Sequence, residues 1–397
     1  MSEEIIEKIK RNLSGNPDLD RDYLVSQLDY YKNHESSYEI IKEISQLIWK
    51  SLEFYLEDNP QMTKKTMASR ILDEVIPYIE NRDKKTALKI LDKHMGSFID
   101  KYENIESHKE SDFSSNRSIR EIQYMRYDSK KSAYKPKSFR TTPKKEKKVN
   151  WRKDVKINKA NNAEENKNTN KEYHSFLNPL EEIIFYQYIG LKKELAHIPF
   201  NEPLFDLYYL YGTLLFENDR FKESEEYLLN ALRINPVSSK TILGLADIYK
   251  SKTRTYNRFF LYNVDALKFA YTNEDIARAY RNFGFFYVEE NQLDIAAVFY
   301  DFSLNFDFNK NAMKELEYLK SRGVDTEIER KDAESIIESK NVQVGVNQFI
   351  LDTLRFICYD LDNRKYFTQA LYFYRILYDL TKDNEVLCRI NSIQNRI

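Results

Sequence analysis

Three stretches of the chain repeat one pattern of large, small and aromatic residues at matching offsets, and this repetition constrains the fold more than any other feature. The stretches open at Phe205, Ala277 and Leu351, so they begin 72 and 74 residues apart. Such self-similarity is typical of stacked helical hairpins. The residues that carry the pattern in the three copies are Tyr208, Tyr211, Gly212, Leu215, Phe221, Leu228, Ala231 and Pro236; Tyr280, Phe283, Gly284, Tyr287, Leu293, Ala296, Tyr300 and Ser303; and Leu354, Ile357, Cys358, Leu361, Phe367, Ala370 and Tyr374.

The spacing resembles the tetratricopeptide repeat, a unit of about 34 residues in which two antiparallel helices are joined by a short turn. Each interval of 72 or 74 residues has the length of two such units, so we expect a less regular hairpin in each gap. The resemblance covers residues 205–397 and implies five hairpins. The departures from the pattern are Ser224 in place of alanine, Cys358 in place of glycine, and Phe308 and Lys382 in place of the closing proline.

Two glycines occupy the same place in the first two copies. A glycine inside an exposed helix costs roughly 1 kcal/mol relative to alanine, so Gly212 and Gly284 indicate positions that another helix approaches closely. Ala296 and Ala370 lie in the second helices of their hairpins, where we expect that closest approach. The small residues therefore predict tight packing within each hairpin.

The hairpins in the gaps are less regular. In the second hairpin, a helix containing Ile242 and Tyr249 precedes a stretch from Ser251 to Arg258, which predicts an enlarged loop. In the fourth, an apolar stripe ends at Gly323, and we expect a polar helix over residues 325–340.

The composition favours helices along the whole chain. There are 8 glycines and 9 prolines but 30 tyrosines and 24 phenylalanines, so residues that form turns are few and bulky residues are many. Apolar residues recur at spacings of three and four, whereas strict alternation is rare. We therefore predict an all-α fold with almost no strands, consisting of a tetratricopeptide-like α-solenoid and a separate amino-terminal helical module.

The sequence predicts a cytoplasmic protein. Cys358 and Cys388 have no paired spacing, which fits a reducing compartment better than a disulfide. Residues 1–10 are acidic and amphipathic, unlike a secretory signal. No stretch approaches the roughly 20 apolar residues of a membrane span.

Three segments differ in their patterning. Residues 1–105 carry apolar stripes of helical period and form a predicted module, in which residues 68–101 are either a degenerate hairpin of the same family or part of an unrelated bundle. Residues 106–172 lose this period and predict a basic disordered linker, and residues 173–397 hold the array. The stripes of the first segment are Ile40, Ile41, Ile44, Leu47, Ile48, Leu52 and Tyr55; Ile71, Leu72, Val75, Ile76 and Ile79; and Leu88, Leu91, Met95, Phe98 and Ile99.

The linker concentrates positive charge. Residues 117–159 contain sixteen Lys or Arg and four acidic residues, a net charge of +12, although the whole chain has a formal net charge of −1. Aromatic rings that stack on bases, together with cations that neutralise phosphates, suit single-stranded nucleic acid. An anionic membrane surface would serve equally well, and a solvated linker without a ligand also explains the charge. The interleaved aromatic residues are Tyr124, Tyr127, Tyr134, Phe139 and Trp151.

Motifs that carry catalytic or metal chemistry are missing from the sequence. The five histidines are scattered, and none stands three or four residues from another histidine or a cysteine, so there is no zinc spacing. There is no glycine-rich phosphate loop, nucleophile turn or metal-binding helix motif. We therefore predict a non-enzymatic protein without catalytic residues, metal or cofactor.

In stacked hairpins the first helices line a concave groove, which suits an extended or helical peptide. Arginines beside aromatic rings in such a groove would bind an acidic peptide or a terminal carboxylate through bidentate hydrogen bonds. Each residue taken singly also fits an ordinary exposed position on an amphipathic helix. The residues that the register turns inward are Tyr209, Phe216, Glu217, Arg278, Arg281, Phe285, Glu289, Arg355 and Tyr359.

These features predict a scaffold that binds a protein or peptide partner in the groove. Binding of RNA or an anionic surface through residues 117–159 is an alternative, and a bacterial peptide-sensing regulator, which joins a helical module to a repeat array, is a second. Some tetratricopeptide proteins clamp the carboxyl terminus of a heat-shock chaperone with Lys, Asn and Arg on successive first helices. Thr213 and Phe285 stand where that clamp needs polar groups, so we do not expect this activity.

Overall fold

The computed structural model describes residues 2–34, 37–52, 66–106, 171–191, 194–198, 202–253 and 256–396. These residues form seventeen α-helices and one two-stranded sheet, which confirms the all-α prediction. The first elements are α1 (Ser2–Arg11), α2 (Pro17–Asn33), α3 (Tyr38–Ser51), α4 (Met67–Glu80), α5 (Lys84–Glu106), β1 (Lys171–His174), α6 (Pro179–Tyr188) and β2 (Glu194–His197). The remaining helices are α7 (Leu204–Glu217), α8 (Phe221–Ile234), α9 (Ser239–Ile248), α10 (Tyr256–Phe269), α11 (Asn273–Glu289), α12 (Leu293–Ser303), α13 (Lys310–Ser321), α14 (Arg330–Ser339), α15 (Gln348–Asn363), α16 (Phe367–Thr381) and α17 (Asn384–Gln394).

Adjacent helices pack as pairs. The pairs α7 and α8, α9 and α10, α11 and α12, and α15 and α16 each lie against each other, and α17 packs on α16. Several helices start at a residue whose side chain accepts a backbone hydrogen bond from the first turn, as Ser238, Thr272 and Asn309 do. Four of the five predicted hairpins are therefore present as packed helix pairs.

The same backbone turn joins the helices of three hairpins. Asp219, Asn291 and Lys365 have positive φ angles of 61°, 55° and 65°. These residues are 72 and 74 positions apart, so the turn follows the sequence repeat. In each turn, the N–H of the next residue donates to the carbonyl five residues earlier, at distances of 2.8–2.9 Å, which is the bonding pattern of a Schellman motif.

Helices α4 and α5 are joined by a turn of the same kind. Arg82 has a φ of 61°, and the N–H of Asp83 donates to the carbonyl of Tyr78 at 2.8 Å. Helix α4 packs against α7, the first helix of the array. Helices α4 and α5 therefore share the turn geometry of the three hairpins, and the choice between the two alternatives for residues 68–101 stays a prediction.

The two repeated glycines lie within helices at close contacts. A Cβ added at Gly212 would lie 2.9 Å from the side chain of Leu228, and one added at Gly284 would lie 2.9 Å from the ring of Tyr300. The close approach is as predicted, but these large side chains, and not Ala296, are its nearest atoms. The glycines make room for a bulky side chain of the second helix. Ser224 contributes differently, because its hydroxyl donates to the Gly212 carbonyl at 2.7 Å.

The second and fourth hairpins differ from the prediction in detail. A π-helical turn, Tyr249–Thr253, extends α9 directly, and α10 begins at Tyr256, so the loop is shorter than expected. In the fourth hairpin, α13 and α14 both pack against α12. Helix α14 begins at Arg330 and not near residue 325, because the Asp325 carboxylate accepts the N–H of Glu327 at 3.0 Å and holds a local turn instead.

Residues 1–92 and 173–397 form one compact unit, although the sequence suggested an amino-terminal module separate from the array. Helix α3 packs along α15, and α2 and α3 pack on α6. The hydroxyl of Tyr38 donates to Asp352 at 2.9 Å, and the indole N–H of Trp49 donates to Asp360 at 2.9 Å. The apolar stripe of α3 supplies the buried side of this contact, with Ile44 and Ile48 fully buried.

Helix α6 lies inside this unit. Eight of its ten residues, from Pro179 to Tyr186, are buried. The helix therefore lacks the solvent-exposed polar face of an amphipathic surface helix. It packs against α2, α3 and α15, and Lys32 donates to the Tyr186 carbonyl at 2.9 Å. Burial on all sides explains why this segment is not amphipathic.

A second unit comprises residues 93–172 and contains the end of α5. The predicted linker over 106–172, including the basic stretch 117–159, lies outside the described residues except at its two ends.

Candidate protein-binding face

Three first helices of successive hairpins lie side by side. Helix α7 contacts α9, and α9 contacts α11. We call the exposed and half-exposed residues of these three helices the inner face. It contains seven of the nine predicted groove residues, which are Tyr209, Phe216 and Glu217 on α7 and Arg278, Arg281, Phe285 and Glu289 on α11.

At the α7 side of the inner face, a lysine lies over two aromatic rings. The ammonium of Lys240, on α9, is 4.6 Å from the ring centre of Tyr209 and 5.1 Å from that of Phe205. The two rings stack with centroids 6.0 Å apart. A cation over aromatic faces is stabilised by the ring quadrupole, so Lys240 ties the second hairpin to the first.

Both predicted arginines of α11 form ion pairs. Arg278 donates to the Asp247 carboxylate of α9 at 2.5 Å, and Arg281 donates to Asp307 at 3.2 Å. These pairs join α11 to α9 and to the segment after α12. The guanidinium groups therefore already have carboxylate partners, and an acidic ligand would have to compete with them.

A second lysine covers the aromatic ring at the other end of α9. The ammonium of Lys250 lies 3.8 Å from the ring centre of Phe285, and burial lowers the pKa of this lysine. Beside it, the hydroxyl of Tyr256 donates to Glu289 at 2.8 Å. The Lys250 side chain therefore covers one face of the Phe285 ring. The Glu289 carboxylate is hydrogen-bonded to an uncharged group, the Tyr256 hydroxyl.

The carboxyl end of α7 carries the other two predicted residues. The ring of Phe216 packs at 5.6 Å from Phe221 across the turn of the first hairpin. The carboxylate of Glu217 accepts a hydrogen bond from Lys84 at 2.7 Å. Glu217 thus links the array to the start of α5.

Arg355 and Tyr359 lie apart from the inner face, on α15. Arg355 is 3.5 Å from Asp352, the same carboxylate that accepts from Tyr38 of α3. Tyr359 is the more open of the two, with 66% of its surface exposed. Seven of the nine predicted residues therefore lie on α7 and α11, and the other two lie on α15. Helix α3 packs along α15.

Sequence reasoning missed the residues of α9 and of the π-helical turn that follows it. Lys240 and Lys250 lie over the rings of predicted groove residues, and Asp247 pairs with the predicted Arg278. The glycine of the second hairpin, Gly244, stands 32 and not 34 residues after Gly212, so it is not aligned with the repeated glycines of the other copies. The signal that would have found them is an offset of about 34 residues from the first copy.

Within the described ranges, no group of His, Cys, Asp and Glu side chains is arranged to hold a metal ion. Among the described helices, none has the length and apolar character needed to cross a membrane. Cys358 is buried, and burial raises the pKa of its thiol, which keeps it in the unreactive protonated form. Comparison with models of known protein families gives no match, and comparison with curated proteins finds no similar chain.

Proposed function

We propose that this chain is a non-enzymatic protein-binding scaffold of the tetratricopeptide type, and that a peptide or protein partner lies along the inner face. The observation that carries the proposal is that α7, α9 and α11, the first helices of three successive hairpins, lie side by side. Stacked hairpins of this kind bind extended or helical segments along such a row.

The contacts within the face indicate what the partner would meet. Arg278 and Arg281 are paired with carboxylates of the same chain, so they offer little unpaired charge. Tyr209 and Phe285 offer half-exposed aromatic rings bordered by lysines, and aromatic residues contribute strongly to protein interfaces. A partner with apolar contact residues and a few acidic groups for the lysines suits this surface.

The test uses the full chain as bait in an extract of its own cells, with quantitative mass spectrometry of what is captured. The variant Arg281→Glu/Phe285→Ala reverses a charge and removes a ring on the inner face. We expect this variant to capture at least tenfold less of the partner. That decrease corresponds to a loss of about 1.4 kcal/mol in binding free energy.

The matched control is Lys331→Glu/Tyr318→Ala, which makes the same two kinds of change at exposed positions of α14 and α13. It should capture the same proteins as the original chain. Equal capture by both variants, or equal loss in both, would contradict the proposal. Circular dichroism of each variant distinguishes lost binding from lost folding.

A second candidate function is binding of single-stranded nucleic acid by residues 117–159. It rests on the sequence alone, through the net charge of +12 and the interleaved aromatic residues. Replacing Lys144, Lys145, Lys147 and Lys148 with glutamine in the full chain should weaken retention of a poly(U) RNA and flatten its salt dependence, because fewer counterions are released. Retention that does not change with salt would eliminate this function.

A further inference from the structure

A surface pocket lies between the amino-terminal end of α6 and the first turns of α16. It has a volume of about 290 Å³ and is lined by residues 177–179 together with Thr368, Gln369, Tyr372 and Phe373. All of these side chains are uncharged, although charged residues make up 31% of the chain. The pocket is separate from the inner face.

The floor of the pocket is held by a buried hydrogen-bond network. The amide of Asn178 donates to the Tyr271 hydroxyl at 3.1 Å, and its oxygen accepts the N–H of Glu181 at 3.2 Å. The buried Glu181 carboxylate accepts from Tyr271 at 2.9 Å and from Asn235 at 2.7 Å. A floor fixed in this way belongs to a preformed site, which is the usual condition of ligand pockets.

Two large apolar side chains stand open at the pocket. Leu177 and Tyr372 each have 49% of their surface exposed, and they come from different parts of the chain. Phe373 lies between them and the interior, with its ring 5.0 Å from that of Tyr372. Exposed apolar residues that gather at one place indicate an interaction site more strongly than the same residues scattered singly.

The lining also limits the chemistry of the occupant. A buried charge needs a partner of opposite charge or pays a large desolvation cost. None of the side chains that line the pocket is charged, and the Glu181 carboxylate behind the floor already accepts hydrogen bonds from Tyr271 and Asn235. The volume of about 290 Å³ lies just below the roughly 300–1,000 Å³ of small-molecule pockets, which suits one large side chain. Thr368, which is exposed, and Gln369, which is half-exposed, provide polar groups in the lining for the amides that flank such a side chain.

We propose that this pocket binds one uncharged aromatic or aliphatic side chain of a partner peptide, with the adjoining peptide amides at Thr368 and Gln369. This site is independent of the inner face, so either can be disproved without the other.

The test measures binding of N-acetyl-L-tryptophanamide to the full chain by saturation-transfer NMR, with N-acetyl-L-lysinamide as the charged comparison. The tryptophan compound should bind saturably and the lysine compound should not. Tyr372→Ala should weaken binding about tenfold, because it removes one wall of the pocket. Gln369→Lys should weaken it as well, because it places an unpaired charge in an uncharged site.

Tyr318→Ala is the matched control, since Tyr318 is also 49% exposed but lies on α13. It should leave binding unchanged, and Tyr372→Phe, which keeps the ring, should remain within about twofold. The proposal is overturned if the lysine compound binds as well as the tryptophan compound, if Tyr372→Ala binds normally, or if Tyr318→Ala causes the same loss.

Discussion

The third and fourth hairpins share a type of turn but differ in how they are held. Helix α11 has nine buried residues and α12 has seven, whereas α13 and α14 have two each. Two residues after the end of α11 and of α13, the chain nevertheless has a residue with positive φ, Asn291 at 55° and Gly323 at 83°. In both turns the following N–H donates to the carbonyl five residues earlier.

This comparison separates two levels of structure. The turn depends on a few local backbone hydrogen bonds, which form with or without a large core. The packing of two helices on each other depends on apolar side chains facing each other, which the third hairpin has and the fourth mostly lacks. The turn at the end of the first helix therefore repeats along the chain, while the number of buried residues in each hairpin does not.

The largest expected effect comes from the core of the third hairpin. Phe299 is fully buried among aromatic rings, including those of Phe283 at 5.3 Å and Tyr287 at 5.2 Å. Phe299→Ala should lower the free energy of unfolding by about 3–5 kcal/mol, because it leaves a cavity. Met313→Ala, at an exposed position of the fourth hairpin, should change it by less than about 0.5 kcal/mol. Urea unfolding followed by circular dichroism measures both, and similar losses in the two variants would remove the contrast between the hairpins.

The next effect concerns the connection from the third hairpin to the segment after the fourth. The hydroxyl of Tyr280 donates to the Gln343 carbonyl at 2.7 Å and accepts the N–H of Gly345 at 2.7 Å. Tyr280→Phe should lower the free energy of unfolding by about 1–3 kcal/mol, because two half-buried backbone groups lose a partner. Amide hydrogen exchange should increase at Gly345 first. Unchanged exchange there would mean that the hydroxyl does not hold this segment.

Two glycine substitutions test turn and packing separately. Gly284→Ala brings a methyl group against Tyr300, which overpacks the site by about 1–3 kcal/mol, partly offset by roughly 1 kcal/mol of improved helix propensity. Gly323→Ala has open space but a φ of +83°, so it should cost about 1–2 kcal/mol through its backbone.

A second substitution distinguishes these causes. In a Tyr300→Ala background, Gly284→Ala should become neutral or stabilising, because the ring is gone, while Gly323→Ala should cost the same as before. A Gly284→Ala penalty that persists without the ring would show that the close contact with Tyr300 is not its cause.

The smallest effect is kinetic and extends the comparison to the fifth hairpin, where Cys358 takes the place of Gly284. Cys358 is buried and Cys388 is exposed. Burial raises the pKa of the Cys358 thiol, so its thiolate should be scarce at neutral pH. Ellman's reagent should modify the exposed Cys388 thiol quickly. The buried Cys358 thiol should react only as fast as local unfolding of the fifth hairpin exposes it. The fast phase should disappear in Cys388→Ser, and two equally fast thiols would mean that the fifth hairpin is loosely packed.

Some of the inner face could be predicted because it follows from helical register. Tyr209, Arg281 and Phe285 were placed by the register of the repeat, and they lie on α7 and α11, the two first helices that α9 contacts. Their partners could not be placed in the same way. Asp247 and Asp307 lie 31 and 26 residues from the arginines that they bind, and an ion pair between helices leaves no periodic signal.

By itself, the sequence determined the helical class, the succession of helix pairs and the close contacts at Gly212 and Gly284. These features depend on spacings of three and four residues and on residue size, which are local properties of the chain. The tertiary structure alone decided that α3 packs along α15 and that α6 is buried on nearly all sides. It also decided that a lysine of α9 and a lysine of the π-helical turn after it cover rings of α7 and α11. These contacts join residues that are far apart in the chain. The pattern of apolar residues in the sequence shows which side chains will be buried, but the hydrophobic effect has no direction, so the pattern does not show which residues will cover them.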